Sequence, residues 1–270
     1  MGARGRREAR GGRLSAAVER ASRGQFDGVL QIVRYNWTLY LVAVLVSTLV
    51  VLLVDVVHPP AALAGLLILG AIAAVFWLAL SLAVSHYVYD RSDLYRWGWI
   101  RDRVVPSPRH VVNIHAGLDE TSLALQEMYP AAEVTILDIY DPGEMPEPSI
   151  ARARREARST LASVTADFRR LPLETASSDL VTVIFVAHEL RRAAAKEAFF
   201  REASRVLQPG GRLLLVEHLR NGWNLAAFGP GAFHFFPRHE WLRVAGATGF
   251  QLGEEFSRTV FVRAFVFLRA

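Results

Sequence analysis

Between Tyr35 and Tyr89 the chain carries one formal charge, Asp55, and the stretch is broken at His58-Pro59-Pro60 into two apolar runs. A helix that spans a bilayer needs roughly 20 apolar residues to cover about 30 Å of hydrocarbon. Residues 37–57 (WTLYLVAVLVSTLVVLLVDVV) and 61–87 (AALAGLLILGAIAAVFWLALSLAVSHY) both reach that length. A core helix of a soluble domain normally keeps a polar stripe, and these runs are apolar all round. A cleaved signal peptide fits worse, because the run begins late, exceeds the usual apolar region of about 7–15 residues and is followed by a second one. The expectation is a two-helix transmembrane hairpin over residues 36–89.

Arginine placement predicts its orientation. Arg4, Arg6, Arg7, Arg10, Arg13, Arg20, Arg23 and Arg34 precede the first run against Glu8, Glu19 and Asp27, while Arg91, Arg96, Arg101 and Arg103 follow the second; the connecting turn has no basic residue. The positive-inside rule then puts both termini in the cytoplasm, as in a two-pass protein of the inner (cytoplasmic) membrane. Trp37, Tyr40, Trp77, Tyr87, Tyr89, Trp97 and Trp99 lie near the span ends as interfacial anchors, with Trp77 deep enough to serve packing instead. Ala61/Gly65, Gly70/Ala74 and Ala79/Ala83 place small residues four apart, which allows close helix packing within the hairpin or in a homo-oligomer.

Residues 1–35 form a basic arm whose excess equals the +5 of the whole chain, so the remainder is balanced. That argues against nucleic acid as a partner. It fits attraction to anionic headgroups or a disordered tail that only sets topology. Cysteine is absent, which removes disulfides, thiolate nucleophiles and cysteine metal sites.

After a connector at 90–109, residues 110–270 alternate β-rich and helical runs. The predicted strands are 110–114, 133–138, 163–166, 180–186, 212–217 and 259–268; the predicted helices are 121–128, 149–161, 192–207 and 238–248. Alternation implies an α/β domain with a mostly parallel sheet covered on both faces. Ligands in such sheets bind at the carboxyl ends of the strands. There the sequence offers HAGLDETS, Asp138, Asp167, His188-Glu189 and Glu217-His218. Asp138, about 20 residues beyond the first glycine turn, suits a carboxylate that grips a ribose diol, or else begins the turn at 138–143.

The segment 202–218 (EASRVLQPGGRLLLVEH) resembles the helix, Pro-Gly-Gly turn and fifth strand of class I S-adenosylmethionine-dependent methyltransferases of the type 11-like group. VTILD at 134–138, TADFRRLPLETASSDLVTVIFVAHEL at 165–190 and HEWLRVAGATGFQL at 239–252 follow in that family's order, covering about 110–268. The resemblance implies a Rossmann-like sheet with an antiparallel last strand. It also implies S-adenosyl-L-methionine as cofactor, held by the first loop (Asn113, His115, Gly117, Asp119, Glu120), by Asp138 and Ile139, and by Asp167, Phe168 and Val186. The loop departs from the family's Asp/Glu-x-Gly-x-Gly-x-Gly: Asn113 stands at the acid, His115 at the first glycine and Asp119 at the last. Asp119 or Glu120 then holds the cofactor's ammonium, or Asp119 receives backbone N–H groups of the next helix.

Methyl transfer from a sulfonium requires alignment and exclusion of water, with a base where the acceptor is a hydroxyl or ammonium. His188, Glu189, His218 and His234 are the candidate catalytic groups, with Glu189 preferred; its structural alternative is an ion pair with Arg191 or Arg192. No metal is expected. The aromatic stretch at 85–99 is an interfacial anchor or guides an amphiphile, and the apolar, Gly-rich residues 221–237 resemble a flexible acceptor-side lid able to touch the bilayer. The expected activity is membrane-anchored methylation of a hydrophobic or lipid-like small-molecule acceptor. A membrane scaffold with a degenerate cofactor domain is the alternative.

Overall fold

The computed structural model describes residues 24–156 and 161–270. The expectations for residues 1–23 of the arm, and for the end of the helix at 149–161, lie outside the described residues. In chain order the elements are α1 (Asp27–Val57), α2 (Ala61–His86), α3 (Trp99–Arg103), β1 (His110–His115), α4 (Ser122–Met128), β2 (Glu133–Asp138) and α5 (Pro148–Glu156). They continue with β3 (Val164–Thr165), β4 (Ser178–Ile184), α6 (Ala193–Val206), β5 (Leu207–His218), α7 (Gly222–Phe228), α8 (Arg238–Ala247), β6 (Phe250–Ser257) and β7 (Val262–Arg269). These fall into two compact units, one of Gln25–Ser92 with Asn221–Phe233, the other of Asp93–Arg220 with His234–Ala270.

The first unit is helical. Helix α1 starts at Asp27, well before the apolar run, but departs from helical geometry at Asn36, whose amide nitrogen donates to the carbonyl of Ile32 at 3.0 Å. Asp90 anchors its start, accepting from Gly28 N at 2.6 Å and Val29 N at 3.0 Å, where the helix dipole favours a carboxylate. The same carboxylate lies 2.9 Å from His86 Nδ1, and His86 stacks on Phe26. The helix ends at His58 in the left-handed region, and Pro59-Pro60 stops it from continuing. Both helices are long and apolar enough to cross a membrane, and their most apolar windows are unburied. Leu39, Val46, Leu52, Leu66, Leu69 and Phe76 are all exposed.

The second unit holds a seven-stranded sheet in the order β3-β2-β1-β4-β5-β7-β6. Strands β1 to β5 pair in parallel, and β7 runs antiparallel to both β5 and β6. Buried side chains run almost unbroken along β1 and β4, as expected of central strands covered on both faces. Helix α6 buries Ala195, Lys196, Phe199, Phe200, Ala203 and Val206 at helical spacing. Phe200 meets Trp241, Phe250 and Phe267 there, so Phe200→Ala would cost about 3–5 kcal/mol.

Two expectations change. Strand β6 was not predicted, because QLGEE is polar; it is the edge strand and needs only one buried face. The stretch expected as a flexible lid contains α7, capped by Asn221 through Asn224 N at 2.9 Å.

Candidate functional site

All four carboxyl ends of β1, β2, β4 and β5 open on one edge, with the switch in strand order between β1 and β4. The loop after β1 is built by side chains where glycines were expected to leave room. Asn113 is buried, donates to Ser122 Oγ at 2.8 Å and Asp119 Oδ1 at 3.2 Å, and accepts from Thr182 Oγ1 at 2.6 Å. Asp119 Oδ1 also receives Thr121 N at 3.2 Å and Ser122 N at 3.0 Å, so the second of its two expected roles describes its contacts. Glu120 accepts from the Tyr95 hydroxyl at 2.6 Å, tying the aromatic stretch to this loop.

His115 accepts the Gly117 N–H at Nδ1, 3.0 Å, which puts its proton on Nε2. That Nε2 is buried without a partner. Burial lowers the His115 pKa, and Arg154 adds to the effect, against the opposing pull of Asp119 and Asp138. Gly117 has φ +112°, and a Cβ there would stand 2.1 Å from Cγ of Arg154. Arg154, from α5, crosses this glycine, lies 4.3 Å over the Tyr140 ring, and donates to both Asp138 oxygens at 2.8 and 2.6 Å.

The residues fit S-adenosylmethionine conditionally. An acid at the end of β2, an unpartnered buried donor at His115 and an open-sided glycine are the parts a ribose and amino-acid moiety would meet. The Arg154 side chain lies across them, and it is the flexible part. Ile139 is buried in the core with its N–H on His115 O, Asp167 is exposed and accepts from Arg169 N at 2.8 Å, and Phe168 lies under the Arg169 guanidinium. Val186 is buried just before the short turn Ala187–Glu189.

At the ends of β4 and β5 the polar residues converge instead. His188 Nδ1 is 2.7 Å from Glu217 Oε2, and its Nε2 is 3.2 Å from Glu189 Oε1. The same Glu189 oxygen is 3.7 Å from His234 Nε2, whose Nδ1 is 3.8 Å from Glu147. Glu189 Oε2 is buried and unpartnered. Burial alone would lower His188, but the Glu217 and Glu189 carboxylates outweigh it and push it up to about 10. Burial alone would raise Glu189, yet His188 and then His234 hold it well below the usual carboxylate range. The ion pair expected with Arg191 or Arg192 does not form: Arg191 donates to the carbonyls of His188 and His234, and Arg192 to Glu144. His218 stands apart, stacked between Phe185 and Phe235 with Nδ1 on the Phe261 carbonyl at 3.1 Å. His188, Glu189 and His234 also bring three donor atoms within 4.8 Å of one another.

Arg154 and Phe185 were missed, and Glu217, though placed at a strand end, was given no role. Arg154 is one of several arginines on a polar helix and carries no sequence signal. Glu217 had one, a carboxylate closing the apolar run LLLV. Phe185 adopts φ +55° straight after β4, a strained conformation for an aromatic residue and a mark of functional turns.

Residues 114–215 match the profile of a methyltransferase domain. The demethylmenaquinone methyltransferase of Thermus thermophilus is 34% identical over 112 residues, 41% of this chain and 48% of that protein. A ubiquinone/menaquinone biosynthesis C-methyltransferase of Syntrophotalea carbinolica is 27% identical over 153 residues, 56% of this chain and 60% of that one. The chain thus spans about half the length of the curated relatives it matches. Among solved structures, a candidate O-methyltransferase from Nostoc punctiforme aligns with a TM-score of 0.50 at 17% identity, covering 71% of this chain and 59% of its own, which shows the fold. Residues 114–215 thus match a methyltransferase domain on a Rossmann-like sheet, a kind of domain whose cofactor is S-adenosylmethionine.

Proposed function

We propose that the chain is a membrane-anchored methyltransferase acting on a hydrophobic, quinone-like or lipid-like acceptor. One observation carries the hydrophobic acceptor: the segment after β5 folds with the apolar helices. Helix α7 packs on α2, the Trp77 indole N–H donates to Ala226 O at 2.9 Å, and Gly229 lies against the same ring. Trp77 lies about 14 Å along α2 from His86, nearly half the depth of a bilayer core. Residues 221–233 carry no charge and expose Trp223 and Phe233. In this reading α1 and α2 form the two-pass hairpin with cytoplasmic termini in the inner membrane, and α7 dips into the cytoplasmic leaflet. The chain enters that segment three residues after His218 and leaves it directly into His234. The quinone names of two relatives fit such an acceptor.

S-adenosylmethionine supplies an electrophilic methyl on a sulfonium. Asp138 would hold the ribose hydroxyls in place of its contact with Arg154, and the His115 Nε2–H would be free to donate to the cofactor. His188, Glu189 and His234 handle the acceptor's proton. Glu189, stabilised as a carboxylate, is the weaker base; His234, the most exposed of the three, takes the proton, and Glu217 orients His188.

A scaffold with a degenerate domain is favoured by one fact, the Arg154–Asp138 pair lying where the ribose would sit. The two readings separate in isothermal titration of detergent-purified protein with S-adenosylmethionine, followed by incubation of labelled cofactor with a total membrane-lipid extract. Binding and a labelled, mass-shifted lipid support the enzyme. No binding, with Arg154→Ala equally silent, leaves the scaffold.

A further inference from the structure

We propose that His188, Glu189 and His234 form a divalent transition-metal site, of the zinc class, at the acceptor side of the sheet. Its existence rests on the geometry alone; its role, holding the acceptor's hydroxyl, rests on the methyltransferase reading.

The three donors lie within 4.8 Å of one another, with separations of 3.2 Å between His188 Nε2 and Glu189 Oε1 and 3.7 Å between Glu189 Oε1 and His234 Nε2. Zinc bonds of roughly 2.0–2.2 Å arranged tetrahedrally set donors about 3.3 Å apart, so the observed separations need only small side-chain rotations. Two imidazoles and one carboxylate select zinc, iron or a similar ion over magnesium or calcium, which prefer oxygen. Three protein donors leave a coordination position open, as in catalytic rather than structural sites.

Two independent observations point to a ligand. Glu189 Oε2 is buried with no hydrogen-bond partner, a costly state for a carboxylate oxygen. His188 also has a carboxylate behind its far nitrogen, Glu217 at 2.7 Å from Nδ1, which is the outer-shell contact that metal-binding histidines usually have. Both Nε2 atoms face Glu189, with Glu147 3.8 Å from His234 Nδ1, beyond hydrogen-bond reach. A divalent cation would balance the buried charges of Glu189 and Glu217, and its open position would acidify a bound hydroxyl, replacing the base role of His234, whose Nε2 would then be a ligand.

The test uses untagged, full-length protein in detergent, equilibrated with zinc, dialysed and assayed by elemental mass spectrometry, with S-adenosylmethionine titrated on the same samples. The expected result is about one zinc per chain, lost by more than tenfold in His234→Ala, and weakened about 10–100-fold in Glu217→Gln. Replacement by cobalt should give the visible absorption of a low-coordinate site, absent in His234→Ala. His234 is half-buried in a loop, and a circular-dichroism melt checks that its variant stays folded. No retained zinc, or equal retention in His234→Ala, overturns the site. Zinc binding without cofactor binding keeps the site and removes the methyltransferase reading.

Discussion

At the ends of β1 and β2 the polar side chains are held by neighbours, Asp138 by the Arg154 guanidinium, while His115 Nε2 is buried without a partner. At the ends of β4 and β5, His188 and Glu189 are both buried and pull one another's protonation in opposite directions. Two histidines display the difference. His115 is kept neutral by burial, whereas His188 is kept charged by carboxylates that outweigh burial. The first edge is preorganised as a receptor with one competing side chain, and the second as a charged array with a carboxylate oxygen to spare.

The sharpest way to break this division is to truncate the array. His188→Gln and Glu189→Gln should each lower the turnover of methyl transfer by about 10²–10⁴-fold, while the Kd for S-adenosylmethionine moves by less than about threefold. Turnover assays and titration on the same variants check this. Equal losses in both quantities would mean that the two edges are one site. Next in size is the Arg154 pair. A charge-assisted contact of one guanidinium nitrogen with both carboxylate oxygens contributes roughly 1.5–3 kcal/mol. Asp138→Ala should weaken cofactor binding about 10–100-fold, and Arg154→Ala should tighten it by about tenfold, both read by titration. Weakening in Arg154→Ala would make the arginine part of the receptor and not its competitor.

The division also explains what could be read without coordinates. The strands β1, β2, β4 and β5 were legible because central parallel strands are mostly apolar, although β5 begins at Leu207 and takes in Pro-Gly-Gly, where its register with β4 shifts. The edge strand β6 was not, since one solvated face erases that pattern. The positions of Asn113, Asp119 and Asp138 at the strand ends could be read because they are tied to place along a loop. Their partners could not: Arg154 reaches Asp138 from another helix, and Glu217 reaches His188 across neighbouring strands. The convergence of His188, Glu189 and His234 depends on where a long excursion after β5 returns, and no local spacing encodes that.

The smallest effect separates the two histidines by pH. His115 has a folded pKa below its ordinary value, so its contribution is intact above about pH 6.5 and is lost as the pH falls through the folded value. Protonation there removes the acceptor for Gly117 N–H, a hydrogen bond of about 1 kcal/mol, or on the order of 2–4 °C in Tm for a domain of this size. His188 has the opposite sign: its stabilisation is full below about pH 6.5 and is lost as the pH rises through about 10. Metal-free protein melted between pH 8 and pH 5 should therefore lose stability on the acid side through the β1 loop, and His115→Gln should flatten that limb. An unchanged acid limb in His115→Gln would mean that the neutral imidazole is incidental to the loop, and that Asn113 and Asp119 alone hold its shape.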